Sequence, residues 1–426
     1  MLDIKFIREN PEQVKQAARN KGEPDIVDKL LAVDDRRRET QKRADDLRHE
    51  QKEISQEVGS AFQKGDRESG DKLKKRAKQL SEEVKILEGG EKRAEVEFGD
   101  LMLRIPNIPA SEAPVGGEDS NKVISEWGEI PKFDFEPRTH TDLGDLLGIL
   151  DMERGAKIAG SGFSVLKGDG ARMSRALVAM MMDLHREKGF LEIAPPFLSN
   201  RNAMIGSAQI PKLEDDMYHL DSEDLFLIPT SEVPITNLHA DEILSETDLP
   251  VHYAGFSANF RREAGSYGAD TRGLLRVHQF DKVELVMLTR PEDSRKAHEV
   301  LCKQAESVLV NLGLPYKVKL LATGDMSFAS HKIYDIDIWA AGEGKWLEVS
   351  SCTNFLDFQA RRANIRYRSE VDGALRFVHT LNASGVALPR LLAAIWENNQ
   401  TVRGTIIIPN NLRPYMGGQE EIKARK

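Results

Sequence analysis

The chain has 426 residues, 30% of them Asp, Glu, Lys or Arg, and a formal net charge of -9. That length predicts two or three domains with a large buried core. The acidic balance excludes a generally basic nucleic-acid coat and confines any RNA contact to a local patch. The two cysteines, Cys302 and Cys352, make neither a disulfide framework nor a metal-ligand spacing. No apolar run reaches membrane-span length, and MLDIKFIREN lacks the apolar stretch of a signal peptide. No membrane partner and a cytoplasmic location are therefore expected.

Ile26, Leu30, Val33, Arg37, Thr40, Ala44, Leu47, Gln51, Ile54, Val58 and Ala61 step by four and three, a heptad seam with polar interruptions. The stepping returns at Leu73, Ala77, Leu80, Val84, Leu87, Glu91, Ala94, Phe98 and Leu101. Between them KGDRESG (64–70) suits a tight reversal, so an antiparallel coiled-coil hairpin is predicted over about 26–101. Its Lys and Arg clusters (36–38, 72–78) read first as the solvated faces of a coiled coil. Pro, Gly and Ser gather after residue 104, which predicts domains over 1–104 and 121–426 joined by a linker over 105–120.

Within the second domain, Met173, Leu177, Met180, Met181 and Leu184 fall at helical spacing and read as core. A short strand ending at Pro195 and Pro196 follows. LFLIPTSEVP (225–234) places Thr230, Ser231 and Glu232 where a strand gives way to a capped helix.

FSANF (256–260) and VHQFDKVELVML (277–288) read as paired strands. Alternation puts Phe256, Ala258, Phe260, Val283, Leu285 and Met287 on a core face, with Ser257, Asn259, Arg261, His278, Phe280 and Glu284 on a solvent-accessible one. Phe280 and Glu284 lie about 13 Å apart along the strand, a span suited to stacking a base at one end and receiving an ammonium or hydroxyl at the other. The intervening loop carries Arg261, Arg262, Arg272 and Arg276, forked cations that suit phosphates or simply a solvated turn, with Glu263 among them.

KWLEVSSCTNFLDFQARR (345–362) reads as a strand entering a loop. LNASGVALPRLLAAIWENNQ (381–400) predicts a helix with Leu388, Leu391, Leu392 and Ile395 inward and Pro389 in its first turn. Arg390 then sits at the positive end of that helix, where a cation is disfavoured by ~0.3–1 kcal/mol, so an anionic partner is expected. Gly160, Gly162 and Val165 break the dinucleotide pattern, and the glycines at 268 and 273 lack a following Lys, so neither Rossmann nor P-loop chemistry is supported. His278 and His331 have no partner at ligand spacing, and no zinc is expected.

FRREAGSYGADTRGLLRVHQFDKVELV resembles motif 2 of class II aminoacyl-tRNA synthetases, in the form seen in bacterial seryl-tRNA synthetases. The 170–196 stretch resembles motif 1 and the 381–400 stretch motif 3. The likeness spans nearly the whole chain and implies an α+β fold, an antiparallel sheet flanked by helices with the hairpin arm attached. It further implies ATP-dependent formation of seryl-adenylate and transfer of the seryl group to tRNA(Ser), extending to tRNA(Sec), by a homodimer whose arm grips the tRNA. Carried over residue by residue, Thr230, Ser231, Glu232, Glu284 and Ser384 take L-serine. ATP falls to Arg261, Arg262, Glu263, Val277, Phe280, Glu348, Val349, Ser350, Ser351 and Arg390, with Arg261 and Arg390 catalytic and Mg²⁺ at Glu348 and Ser351. The family often has Gly where this chain has Pro389.

Strict alternation would put Glu348 and Ser351 on opposite faces, so a bulge or strand end near Ser350 is required. Two alternatives remain: an amino-acid:carrier-protein ligase, against which the complete arm argues, and a non-catalytic RNA-binding scaffold on the same fold, against which the presence of Arg261, Glu348 and Arg390 argues.

Overall fold

The computed structural model describes residues 1–264 and 273–424. The chain divides into two compact units, one of residues 2–19 and 23–106, the other of residues 1, 20–22 and 107–426.

In the first unit the heptad stepping becomes two long helices, α1 (Val27–Gln63) and α2 (Arg67–Met102). Leu30, Val33, Ala44, Leu80, Val84, Ala94 and Leu101 are buried along the seam. The reversal is tighter than expected from 64–70. Asp66 accepts from the Ser69 N–H and starts α2 at Arg67. Gly70 belongs to that helix, and its lack of a side chain admits the Phe62 ring, which an added Cβ would meet at 2.9 Å. The polar interruption at Arg37 is filled: its guanidinium lies 4.3 Å from the centroid of the Phe98 ring and bridges Asp34 and Glu95. Arg36 pairs with Glu97, Arg48 with Glu88 and Arg76 with Glu50 across the two helices. Part of the basic composition therefore holds the hairpin together.

The second unit begins inside the expected linker. From Asn107 onward the 105–120 stretch is packed: the Asn107 amide donates to the Ala329 and Phe355 carbonyls at 2.9 and 2.8 Å. Ala110 and Ala113 are buried. Its prolines and glycines rule out regular ladders, and its backbone groups find partners along 322–331 instead, as Ala110 N–H does on His331 O.

An eight-stranded sheet organises this unit. Its strands are β1 (Lys122–Trp127), β2 (Leu191–Ile193), β3 (Val251–Phe260), β4 (Gln279–Thr289), β5 (Tyr316–Leu320), β6 (Lys332–Ala340), β7 (Lys345–Leu356) and β8 (His379–Ala387). They lie in the order β1-β5-β6-β7-β8-β4-β3-β2. Each neighbouring pair is antiparallel except β2 with β3. The helices α3 (His140–Leu147), α4 (Gly168–Glu187), α5 (Glu232–Thr236), α6 (Ser294–Leu312) and α7 (Leu388–Asn398) flank it. Val283, Leu285 and Met287 join Met173, Leu177 and Met181 of α4 and Leu391, Leu392 and Ile395 of α7 in one core. Among the described residues, no helix is long and apolar enough to cross a membrane.

Candidate active site

The register of β3 on β4 sets Asn259 opposite Phe280, Ser257 opposite Lys282 and Gly255 opposite Glu284. Directly opposed residues share a face, so the expected grouping of Ser257, Asn259, Phe280 and Glu284 is what the sheet delivers. The expected solvent exposure of that face is not. Ser257, Asn259 and Glu284 are 0% exposed, and Ile235 of α5 packs against Gly255, the residue opposite Glu284. Buried polar groups need partners, and Ser257 Oγ donates to Asn259 Oδ1 at 2.7 Å while Asn259 Nδ2 donates to the Ser257 and Phe280 carbonyls. His278 lies just before β4, where its Nδ1 faces the Arg261 carbonyl at 2.9 Å.

The floor of the site is a closed network around two carboxylates. Asn382 Nδ2 donates to Glu232 Oε2 and to Glu284 Oε1, each at 2.9 Å. Thr230 Oγ1 donates to Glu284 Oε2 at 3.1 Å and accepts from Lys282 Nζ at 2.8 Å. Lys282 also pairs directly with Glu284. Gln359 donates to the other Glu232 oxygen at 2.7 Å and is itself oriented by Thr380. Ser384 stands opposite Glu284 in the β4–β8 register. The capping expectation at 230–232 is corrected in detail: Thr230 accepts the Glu232 N–H at 3.2 Å, while Ser231 Oγ is buried without a hydrogen-bond partner among the described residues. Burial, reinforced by the nearby Glu284 charge, pushes the Glu232 carboxyl up to about 7. Burial likewise raises Glu284, opposed by Lys282.

Beside this network opens a cavity of about 370 Å³, lined among others by Arg261, Glu263, Val277, Phe280, Glu348 and Arg390. Lys282 and Ser384 line it too and so join it to the carboxylate pair. The Arg261 guanidinium lies 5.1 Å from the centroid of the Phe280 ring. Glu263, held at a φ of +51°, pairs with Arg276. Arg262 turns away: it does not line the cavity, and its Nη1 donates to the Asp215 carbonyl at 3.3 Å. Arg272 lies outside the described residues.

The expected anionic partner of Arg390 is Glu348. Nη1 donates to the Glu348 carbonyl at 2.6 Å and to its carboxylate at 3.1 Å, and Nε donates to Leu275 O at 3.1 Å. The bulge is also present, one residue from Ser350. The β6–β7 register shifts so that Ser350 faces Ile336 and Glu348 faces Asp337, leaving Val349 without an opposite residue. Ser351 faces Asp335, so Glu348 and Ser351 come to one face, with Asp335 and Asp337. Ser350 Oγ donates to the Ser384 carbonyl at 2.6 Å, tying the bulge to β8.

Several residues escaped the sequence reading. Lys282 falls between Phe280 and Glu284 at period two, and Asn382 lies two before Ser384, so alternation could have found both. Asp335 and Asp337 precede the Glu348 strand by a hairpin. Burial and the adjacent Glu348 raise Asp335 well above the ordinary carboxylate range, and its Oδ1 is buried without a hydrogen-bond partner among the described residues. Crowded oxygen donors that include this one unmet carboxylate oxygen fit a hard divalent cation.

Known proteins match along the chain. A sequence model of the seryl-tRNA synthetase N-terminal domain covers residues 1–109, and that of the tRNA synthetase class II core domain (G, H, P, S and T) covers 213–399. The serine–tRNA ligase of Bacillus subtilis is 49% identical over 427 residues, spanning 99% of this chain and 100% of its own. That of Thermodesulfovibrio yellowstonii is 47% identical over 419 residues, spanning 98% and 99%. The crystal structure of seryl-tRNA synthetase from Pyrococcus horikoshii complexed with ATP superposes with a TM-score of 0.94 at 38% identity, covering 100% of both chains. With relatives 47–49% identical over nearly the whole chain and both domain models matched, the chain belongs to the seryl-tRNA synthetase family of class II synthetases.

Proposed function

We propose that the chain activates L-serine with ATP and transfers the seryl group to tRNA(Ser). The observation that carries this is the buried Glu232–Asn382–Glu284 network opening onto a cavity flanked by Arg261 and Arg390. Glu232, with Thr230 beside it, takes the substrate ammonium; Glu284 and Ser384 take the hydroxyl. Ser231 completes the wall. Phe280 stacks the adenine, Glu263 and Val277 border it, Arg261 holds the α-phosphate and Arg390 the γ-phosphate. Val349 and Ser350 shape the wall between them. Arg262 belongs to this set only if it leaves the Asp215 carbonyl.

The serine carboxylate attacks the α-phosphorus, an O–P bond forms, and the bond to the β-phosphate oxygen breaks with release of pyrophosphate. A carboxylate is already a nucleophile at neutral pH, so no general base is needed and the residues contribute position and charge stabilisation. Glu348 and Ser351 would hold Mg²⁺, with Asp335 as a further oxygen donor, and the ion would neutralise phosphate charge. In the second step a terminal ribose hydroxyl of the tRNA attacks the acyl carbon and AMP leaves.

The two domains expected over 1–104 and 121–426, the second extended back to Asn107 by the packed stretch before it, divide the work: the arm, about 26–101, grips tRNA(Ser), and by the same backbone contacts tRNA(Sec), through shape and phosphates. The exposed apolar residues Leu191, Phe197 and Leu198, following α4 in sequence, support a homodimer. Charging of tRNA places the reaction in the cytoplasm.

Charging of unfractionated tRNA tests the reading. Serine should be attached, and alanine rejected by about 10⁴-fold in kcat/KM, because it would leave the Glu284 site unpaired. Folded protein that charges another amino acid, or none, would contradict it. The pH dependence is a second expectation. Glu232 must be ionised to hold an ammonium and sits near neutrality. The KM for serine should therefore rise as pH falls below about 7, by up to about tenfold per unit, with the KM for ATP changing far less. A flat serine profile would remove Glu232 from the ammonium role.

A further inference from the structure

His140 opens α3, with its ring 0% exposed and each nitrogen engaged. Glu397, near the end of α7, accepts from the His140 N–H at 2.9 Å and faces His140 Nδ1 at 2.8 Å through the same oxygen. Its other oxygen accepts from the Gly342 and Glu343 N–H groups at 2.9 and 3.0 Å. A carboxylate can only accept, so Nδ1 carries the proton. Nε2 is left as an acceptor, and the Leu274 N–H donates to it at 3.1 Å. Glu343 stands 3.7 Å from Nδ1. His140, Glu343 and Glu397 lie close enough to hold a metal ion, but Nδ1 and both Glu397 oxygens are already committed to hydrogen bonds.

Leu274 and Leu275 line the nucleotide cavity. The Leu275 carbonyl accepts from Arg390 Nε at 3.1 Å. Arg390 lies two turns before Glu397 on α7. The hydrogen bonds thus close a circuit: α7 to Glu397, to the His140 ring, to the Leu274–Leu275 backbone, to Arg390 and back to α7. Gly273 shows how close the approach is. Its φ is +60°, and an added Cβ would lie 2.3 Å from His140 Nε2.

We propose that His140, oriented by Glu397, is a positioning residue of the ATP site: its Nε2 fixes the Leu274–Leu275 backbone and thereby the aim of Arg390. This rests on the proposed role of Arg390 on the γ-phosphate. An uncontrolled loop limb would misplace the guanidinium by enough to lower the rate about 10- to 100-fold.

Two conservative replacements separate this role from simple support of the fold. In His140→Asn the amide nitrogen can still reach Glu397, but nothing reaches Leu274. In His140→Gln the amide oxygen can accept from Leu274, at the expense of Glu397. ATP affinity by calorimetry, serine-dependent pyrophosphate exchange and thermal melting would be measured on both. The expected result is a crossed order. Asn weakens ATP binding about tenfold and lowers kcat, with the serine KM within about twofold, while Gln stays near the natural protein in both and melts no higher than Asn. Equal ATP affinity in the two variants, or a Gln variant as impaired as Asn, would overturn the proposal. Should His140→Asn not fold, Gly273→Ala reads the contact from its other side and should weaken ATP binding alike; unchanged affinity there would also overturn it. If the natural protein binds ATP but shows no exchange with serine, the serine reading fails, whereas the order of ATP affinities still decides the role of His140.

Discussion

Arg390→Ala is expected to lower serine-dependent pyrophosphate exchange on the order of 10²-fold or more, the scale on which a lost transition-state charge contact is felt. Arg390 occupies the third position of α7 behind Pro389, against the sense of the helix dipole. Glu348 offsets that cost from the bulged strand and Leu275 O fixes the guanidinium plane. Such a held, half-buried fork is suited to a phosphate that gains charge as the pyrophosphate leaves. The loss should therefore fall mainly on kcat, with the serine KM little changed. Arg390→Lys keeps the charge but not the fork, and should fall between. Near-normal exchange by the Ala variant would remove Arg390 from the phosphate role.

Shortening the arm should separate the two half-reactions. Thr40 and Gly90 face each other across the hairpin, since a Cβ at Gly90 would lie 4.0 Å from Thr40 Cγ2. Excising 41–89 and closing with a short turn keeps the Arg36–Glu97 and Arg37–Glu95 pairs and the Arg37–Phe98 contact at the base. Adenylation should persist. Charging of tRNA should fall about 10³-fold in kcat/KM, as expected when several phosphate contacts vanish together. Retained charging would show that the arm is not the tRNA grip.

Both expectations stand on features legible before any coordinates, because they follow from short-range periodicity. The arm is a heptad seam, the core helices carry a 3.6-residue stripe, and the site strands alternate. Even the β7 bulge is required by two residues that have to share a face, and the register displaces it only to Val349. What stays hidden depends on which element covers which face. Ser257 and Asn259 read as exposed because alternation says which residues share a side, not what packs over it. Gln359 reaches Glu232 from 127 positions away, and His140 reaches Leu274 from 134; no local pattern encodes such pairings. The 105–120 stretch misleads for a related reason: Pro and Gly exclude regular ladders but not close packing.

On the proposed reading, the Glu232–Asn382–Glu284 floor and the arginine-flanked cavity together make a serine-specific adenylation site. Amino-acid-dependent pyrophosphate exchange, with purified protein, ATP and Mg²⁺, no tRNA and each standard amino acid tried separately, tests it most directly. Exchange with serine alone is predicted. Exchange with a different amino acid would leave the fold intact but contradict the assignment of Glu284 and Ser384, and none at all from folded protein would contradict adenylation itself.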